Sequence, residues 1–264
     1  MTQVEKHIKT VLSIAGSDSS GGAGVQADIK TISAHGCYAM AAVTALTAQN
    51  TLGTFLAEPV SPEMMKAQLT AVFEDIFPHS VKTGMLANAA NVRITADILK
   101  KYNAKNVVCD TVIMSTSGRQ LLDDEGVKAF AECLMPEADV ITPNIPEAER
   151  LCGMKIETLS QMEQAAHILS GMTPGAVLLK GGHLKGEAAD ILLYKGKVYT
   201  YSAPRINNPN THGTGCTLSS AIACGLAKGL SVPEAADRAK KYITRAIGMG
   251  LDIGKGNGSL WHFD

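Results

Sequence analysis

Short apolar runs alternate with longer segments of helical spacing along most of the chain, and this alternation limits the possible folds more than any other feature. Runs at 11–15, 38–47, 81–83, 106–110, 139–142 and 176–180 read as buried strands. Between and after them, 25–35, 62–77, 88–102, 121–134, 159–170, 217–228 and 232–249 read as helices, and 144–147 opens a short one. Residues 190–201 alternate about a turn at Lys195-Gly196 and predict a hairpin. Strands interleaved with helices imply a mostly parallel central sheet with helices on both faces, a three-layer α/β/α architecture. No linker, repeat or low-complexity tract interrupts the 264 residues, so one domain spanning 1–264 is expected. In such sheets ligands bind beyond the carboxyl ends of the strands. Gly16, Gln49, Lys82, Asp110, Asn144 and Lys180 all fall there.

Charge and cysteine content narrow the function classes. Net charge is −1, with no block of like charges, which argues against a nucleic-acid partner. Six cysteines stand apart with no C-x-x-C pair, so neither a zinc site nor a disulfide framework is supported. Scattered free thiols, a polar amino-terminal stretch and no apolar span point to a cytoplasmic protein without a membrane partner.

The stretch Asn210-Thr211-His212-Gly213-Thr214-Gly215-Cys216-Thr217 precedes the apolar run 218–227. Glycines at a helix start leave several backbone N–H groups unpaired beside the positive end of the helix dipole. That is an anion site, and phosphate is its usual occupant. The same field favours a thiolate at Cys216, which is otherwise a buried structural thiol. His212 orients this loop or merely caps it. Gly22-Ala23-Gly24-Val25-Gln26-Ala27 fits G-x-G-x-x-G/A after a strand, but the loop from 15 to 22 is long, and the second strand ends at Gln49-Asn50 with no acid for a ribose. The loop therefore reads either as close packing or as a cover over a small substrate, with Asp18 and Asp28 as polar anchors. Asp110 ends a strand, as a cap or as a ligand. Asn144 and Glu147 share a helix first turn, as an N-cap pair or, with Asp110, as a Mg²⁺-phosphate shell. Lys180, before Gly181-Gly182-His183, is a phosphate contact or a surface lysine. Neither G-x-S-x-G nor a P-loop motif is present.

Taken together, residues 15–28, Thr47-Ala48-Gln49-Asn50-Thr51, Val81-Lys82-Thr83-Gly84-Met85-Leu86, Thr142-Pro143-Asn144 to Glu149, Lys180-Gly181-Gly182-His183, Thr211 to Cys216 and Gly254-Lys255-Gly256-Asn257-Gly258 resemble the bacterial hydroxymethylpyrimidine/phosphomethylpyrimidine kinases of thiamine synthesis. The resemblance runs nearly end to end and implies a ribokinase-like fold with a small flap at 111–120, ATP and Mg²⁺ as cofactors, and a homodimer. It implies that Gly16, Gln49, Met85 and Val112 contact the pyrimidine, with Asp28 near its hydroxymethyl group. It places Asn144, Lys180, Thr211, His212 and Thr214 on ATP, and Asp110 and Glu147 on Mg²⁺. Gly213 and Gly215 supply the anion hole, and Cys216 stands where the wider superfamily has an aspartate base. The chain departs from the family at Thr111, which replaces a proline, and at Ser259. A related branch phosphorylates pyridoxal and tends to carry a cysteine near Ser115; the serine favours the pyrimidine, with pyridoxal as the alternative.

Overall fold

The computed structural model describes residues 8–114, 120–182 and 188–263. Eight strands form one sheet in the order β10-β9-β8-β7-β6-β5-β1-β2. They are β1 (Thr10–Ala15), β2 (Tyr38–Val43), β5 (Ser80–Thr83), β6 (Val107–Cys109), β7 (Val140–Ile141), β8 (Ala176–Leu179), β9 (Ala188–Tyr194) and β10 (Lys197–Ala203). Neighbours from β2 to β8 pair in parallel; β9 and β10 close the edge as the expected antiparallel hairpin. The chain moves outward from β1 to β2 and then in the opposite direction through β5 to β8. This puts a topological switch point between β1 and β5, the standard ligand position of such sheets.

Side chains of each strand alternate between two apolar layers. Leu12 and Ile14 of β1 belong to one, with α2 (Pro62–Asp75), α3 (Ala89–Lys101), α5 (Ile145–Cys152) and α6 (Leu159–Leu169). Val11 belongs to the other, with α1 (Gly24–Ala34), α7 (Thr214–Ala227) and α8 (Val232–Met249). α4 (Asp124–Ala129) runs on through a π turn at Phe130–Leu134 and a 3-10 turn at Met135–Glu137. Pro136 has no N–H to continue the α pattern.

Two expectations need correction. The apolar run 38–47 is not one strand. Thr44 breaks it: its N–H bonds Ala15 O at 3.0 Å and its Oγ1 bonds Met85 O at 2.6 Å. β3 (Ala45–Asn50) then leaves the sheet and pairs with β4 (Gly53–Pro59) as a separate hairpin beside the switch point. α7 begins at Thr214 rather than 217, because Gly213 takes a left-handed φ of 85° and caps it. Cys216 is therefore inside the first turn. No helix among the described residues is long and apolar enough to cross a membrane.

Candidate active site

The parallel strands end on one edge, and the residues that follow them meet there. Gly16 follows β1, Met85 lies just past β5, Asp110 follows β6, and Lys180 follows β8. These four line a cavity of about 1190 Å³, counting its open mouth. The hairpin β3–β4 supplies one wall through Gln49 and Thr54, and the amino end of α7 supplies another. Among the described residues, every one expected at the site lies on this wall except Asp28 and Lys82, which is fully buried within β5 rather than at its end.

The loop after β1 is organised by Asp18. Its carboxylate accepts from Ser20 Oγ at 2.7 Å and from the Ala23 N–H at 2.8 Å. Burial works against the charge, but bonds from His212 and Ser20 prevail and hold Asp18 at about 2. Since the ionised carboxylate only accepts, His212 Nε2–H donates to Asp18 Oδ2 at 2.8 Å. The Gln49 amide nitrogen lies 3.1 Å from the same ring nitrogen, and Gln49 Oε1 accepts from Thr54 Oγ1 at 2.6 Å. Asp18 and His212 thus tie the first loop to the α7 loop, and Ser19 Oγ, which donates to Gln49 O at 2.7 Å, ties the first loop to the hairpin. The two loops approach backbone to backbone. A Cβ on Gly213 would strike Gly22 O, and one on Gly24, itself at φ 58°, would strike Gly16 O. Glycine alone fits at either position without strain.

At the amino end of α7, Thr214 bonds back to Thr211 O through its N–H at 3.2 Å and its Oγ1 at 2.6 Å. The Gly215 and Cys216 amides fall in the turn where a helix has no acceptor of its own. A Cβ at Gly215 would lie 3.4 Å from Asp110 Oδ2 and 3.5 Å from Lys180 Nζ. The helix start therefore abuts an acid–lysine pair: Lys180 Nζ donates to Asp110 Oδ1 at 2.9 Å. Thr142 Oγ1 also donates to Oδ1 at 3.0 Å, while Oδ2 has only a 3.4 Å contact from Ser219 Oγ. Burial opposes the charge on Asp110, yet Lys180 and Lys82 hold its carboxyl below the usual range. Burial likewise opposes the charge on Lys180, which Asp110 and Glu147 hold above the ordinary lysine value.

Asn144 and Glu147 form a capping box on α5: Asn144 Oδ1 accepts the Glu147 N–H, and Glu147 Oε2 accepts the Asn144 N–H, both at 2.9 Å. Thr111 Oγ1 donates to Glu147 Oε2 at 2.9 Å, a bond that a proline there could not make. Burial pushes the Glu147 carboxyl up to about 6, with the Asp110 charge adding to the rise. Among the described residues no group of three metal-ligating side chains converges. Two adjacent carboxylates at an open cavity are nevertheless a donor set that Mg²⁺ accepts, since it takes few protein ligands and keeps waters and phosphates.

Two expectations fail in this geometry. Asp28 is fully buried on the inner face of α1, its oxygens taken by Lys82 Nζ at 2.8 and 2.9 Å, Ser13 Oγ at 2.5 Å and Ser220 Oγ at 2.8 Å. It has no free lone pair for a substrate hydroxyl. The Cys216 thiol is also not held low; burial outweighs the pull of Lys82 and the Gly24 backbone bond and pushes it up to about 11. Ser115 and His183 lie outside the described residues. Sequence reasoning missed the supporting role of Thr54 and Thr142. Neither carries a signal of its own, because each acts only through a partner distant in the chain.

The chain matches the phosphomethylpyrimidine kinase family over residues 18–261. It is 44% identical over 97% of its length to a hydroxymethylpyrimidine/phosphomethylpyrimidine kinase from Haemophilus influenzae, covering 97% of that protein. It is 46% identical over 96% of its length to the thiamine biosynthesis bifunctional protein ThiED of Geobacter sulfurreducens, of which it spans 52%. The crystal structure of an ADP complex of Bacillus subtilis pyridoxal kinase aligns with a TM-score of 0.90 at 36% identity, covering 97% of each chain. The mostly parallel sheet between helices is the ribokinase-like fold shared with that enzyme, and the chain is a kinase that belongs to the phosphomethylpyrimidine kinase family.

Proposed function

We propose that the protein transfers the γ-phosphoryl group of ATP to the hydroxyl of 4-amino-5-hydroxymethyl-2-methylpyrimidine, and then phosphorylates the monophosphate, on the route to thiamine diphosphate. The observation that carries this reading is the meeting of the α7 amino end with the Asp110–Lys180 pair on one cavity wall. Phosphoryl transfer asks for alignment and charge neutralisation rather than elaborate covalent chemistry. The Gly213, Gly215 and Cys216 amides receive charge on the transferring group. Lys180 holds phosphate oxygens, and Asn144, Thr211, His212 and Thr214 hold the nucleotide. Gly16, Met85 and Val112 enclose the pyrimidine, while Gln49, which spends one lone pair on Thr54, keeps amide N–H groups and a lone pair for its ring nitrogen and amine. Asp110 and Glu147 would hold Mg²⁺, which supplies charge neutralisation to the phosphates when bound. Cys216 as thiolate takes the hydroxyl proton: S–H forms as the new O–P bond forms, and ADP leaves with the electrons of the broken P–O bond.

A thiol at about 11 makes this role visible in the pH profile. Thiolate grows about tenfold per pH unit below that value, so kcat/KM climbs through about pH 9 without a plateau. A flat profile over about pH 7–9 removes Cys216 as the base. The chain is read as one cytoplasmic domain. Leu46, Phe55 and Leu56 stand exposed on the β3–β4 hairpin and support a homodimer, which sedimentation equilibrium would weigh. The deciding experiment measures ATP consumption on the pyrimidine, its monophosphate and pyridoxal side by side. Pyridoxal turned over as well as the pyrimidine would move the assignment to the branch of the Bacillus subtilis neighbour.

A further inference from the structure

We infer that the sealed Lys82–Asp28 pair is a positioning device for Cys216: the Lys82 ammonium holds negative charge on the Cys216 sulfur, and Asp28 meters that pull. The inference rests on the reading of Cys216 as the proton acceptor. Its footing is the way four elements converge behind the first turn of α7. Ser80 and Lys82 share one face of β5, two residues apart. Ser80 Oγ bonds Ala223 O of α7 at 2.8 Å, so this face is turned to α7. Ser13 of β1 is the register partner of Lys82 and bonds Asp28. Ser220 bonds Asp28 from α7, and Cys216 lies one turn earlier on the same helix face. The ammonium occupies a gap that Gly84 leaves open: a Cβ there would lie 2.8 Å from Lys82 Nζ.

A buried ion pair of this kind is weak evidence for stability, because apolar residues of the same volume do as well or better. Its place one turn of α7 from Cys216 assigns it an electrostatic task instead. Four charged groups act on the thiol: Lys82 and Asp28 from β5 and α1, and Asp110 and Lys180 from the strand ends. After burial, which raises the thiol, Lys82 has the largest influence and draws it down, while Asp28 and Asp110 push it up. Burial also opposes charge on Lys82, but Asp28, Cys216 and Asp110 together keep the lysine charged, above its ordinary value. The two partners of one ion pair therefore act on the sulfur in opposite senses.

That opposition is the test. The full-length protein, free of ligand, is treated with iodoacetamide at about pH 8, and carbamidomethylation is read at the Cys216 peptide by mass spectrometry. The thiolate sulfur displaces iodide from carbon, so the rate follows thiolate content. A tenfold change in thiolate content appears as about threefold in rate, because a more acidic thiol is a weaker nucleophile. Lys82→Met is expected to slow labelling at least about threefold and Asp28→Asn to speed it at least about threefold. Ser220→Ala, which keeps both charges, should leave it within about twofold. Buried Cys224 must stay unlabelled in each variant. A pair that only braces the fold would change labelling in one direction for both variants, or expose Cys224 together with Cys216; either result overturns the inference, as does no change. If Lys82→Met does not fold, Asp28→Asn decides alone: faster labelling confined to Cys216 supports the inference, and slower or equal labelling overturns it. Opposed labelling shifts with the kcat of Asp28→Asn unchanged would leave the tuning in place and remove Cys216 as the base.

Discussion

Two of the molecule's acid–lysine pairs, Lys82–Asp28 and Lys180–Asp110, are almost equal in length, and their surroundings separate their roles. In the Lys82–Asp28 pair both side chains are fully sealed, and Asp28 also accepts from two serines. In the Lys180–Asp110 pair the lysine side chain is 16% exposed, and Asp110 Oδ2 has only a long contact with Ser219. A saturated carboxylate cannot take a ligand, whereas one with an unsatisfied oxygen on a cavity wall can. The distance between an acid and a lysine therefore says little about function; the unspent acceptor capacity and the path to solvent say more.

The largest effects should fall on the open side. Cys216→Ala and Asp110→Asn are expected to lower turnover by about 10²–10⁴ with folding nearly unchanged, the range typical of losing a base or a charge stabiliser. Cys216→Ala turning over within about twofold of the wild type would mean that backbone donors and bound cations carry the reaction.

The sealed side should respond in stability. Lys82→Met leaves the Asp28 carboxylate buried without its partner, and breaking such a pair costs about 3–5 kcal/mol. Lys180→Met should cost less than Lys82→Met, because the Lys180–Asp110 pair lines the cavity and its lysine is partly exposed. Adding Asp28→Asn to Lys82→Met removes both buried charges and should recover most of the loss. Urea denaturation of the four proteins checks this. Equal losses at Lys82 and Lys180 would erase the distinction between the pairs.

The sequence made the open pair easier to read than the sealed one. Asp110 and Lys180 end strands, and strand ends in a parallel sheet point at the ligand. Cys216 follows two glycines at a helix start. Asp28 was legible too, but differently: Val25, Asp28 and Ile32 form the inward stripe of α1, so helical spacing places this acid under the helix rather than in the cavity. Its position inside a glycine-rich motif masked that. The hairpin β3–β4 was hidden because 38–47 is a continuous apolar run without glycine or proline. Its break depends on Thr44 bonding Ala15 and Met85, contacts that exist only after folding. The height of the Cys216 thiol was hidden for the same reason, since the helix start is local while burial is a property of the whole fold.

The smallest effect concerns Glu147, which stands beside the open pair and, unlike Asp28, has no ammonium bonded to it. Its folded value of about 6 lies above its ordinary value of 4.5. The native state therefore binds this proton more tightly than the unfolded chain does. Stability from this group is complete below the ordinary value, declines as pH rises toward 6 and stays low above it. A gap of about one and a half pH units corresponds to about 2 kcal/mol. Glu147→Gln removes the buried charge, and its amide oxygen can still accept from Thr111 and the Asn144 N–H. The variant should thus be more stable than wild type by about 2 kcal/mol at about pH 8 and equal to it at about pH 4, while losing activity. Urea midpoints at the two pH values, taken without metal, check the sign. A Glu147→Gln variant less stable at both would mean that the carboxylate is held as firmly as Asp28 and is structural too.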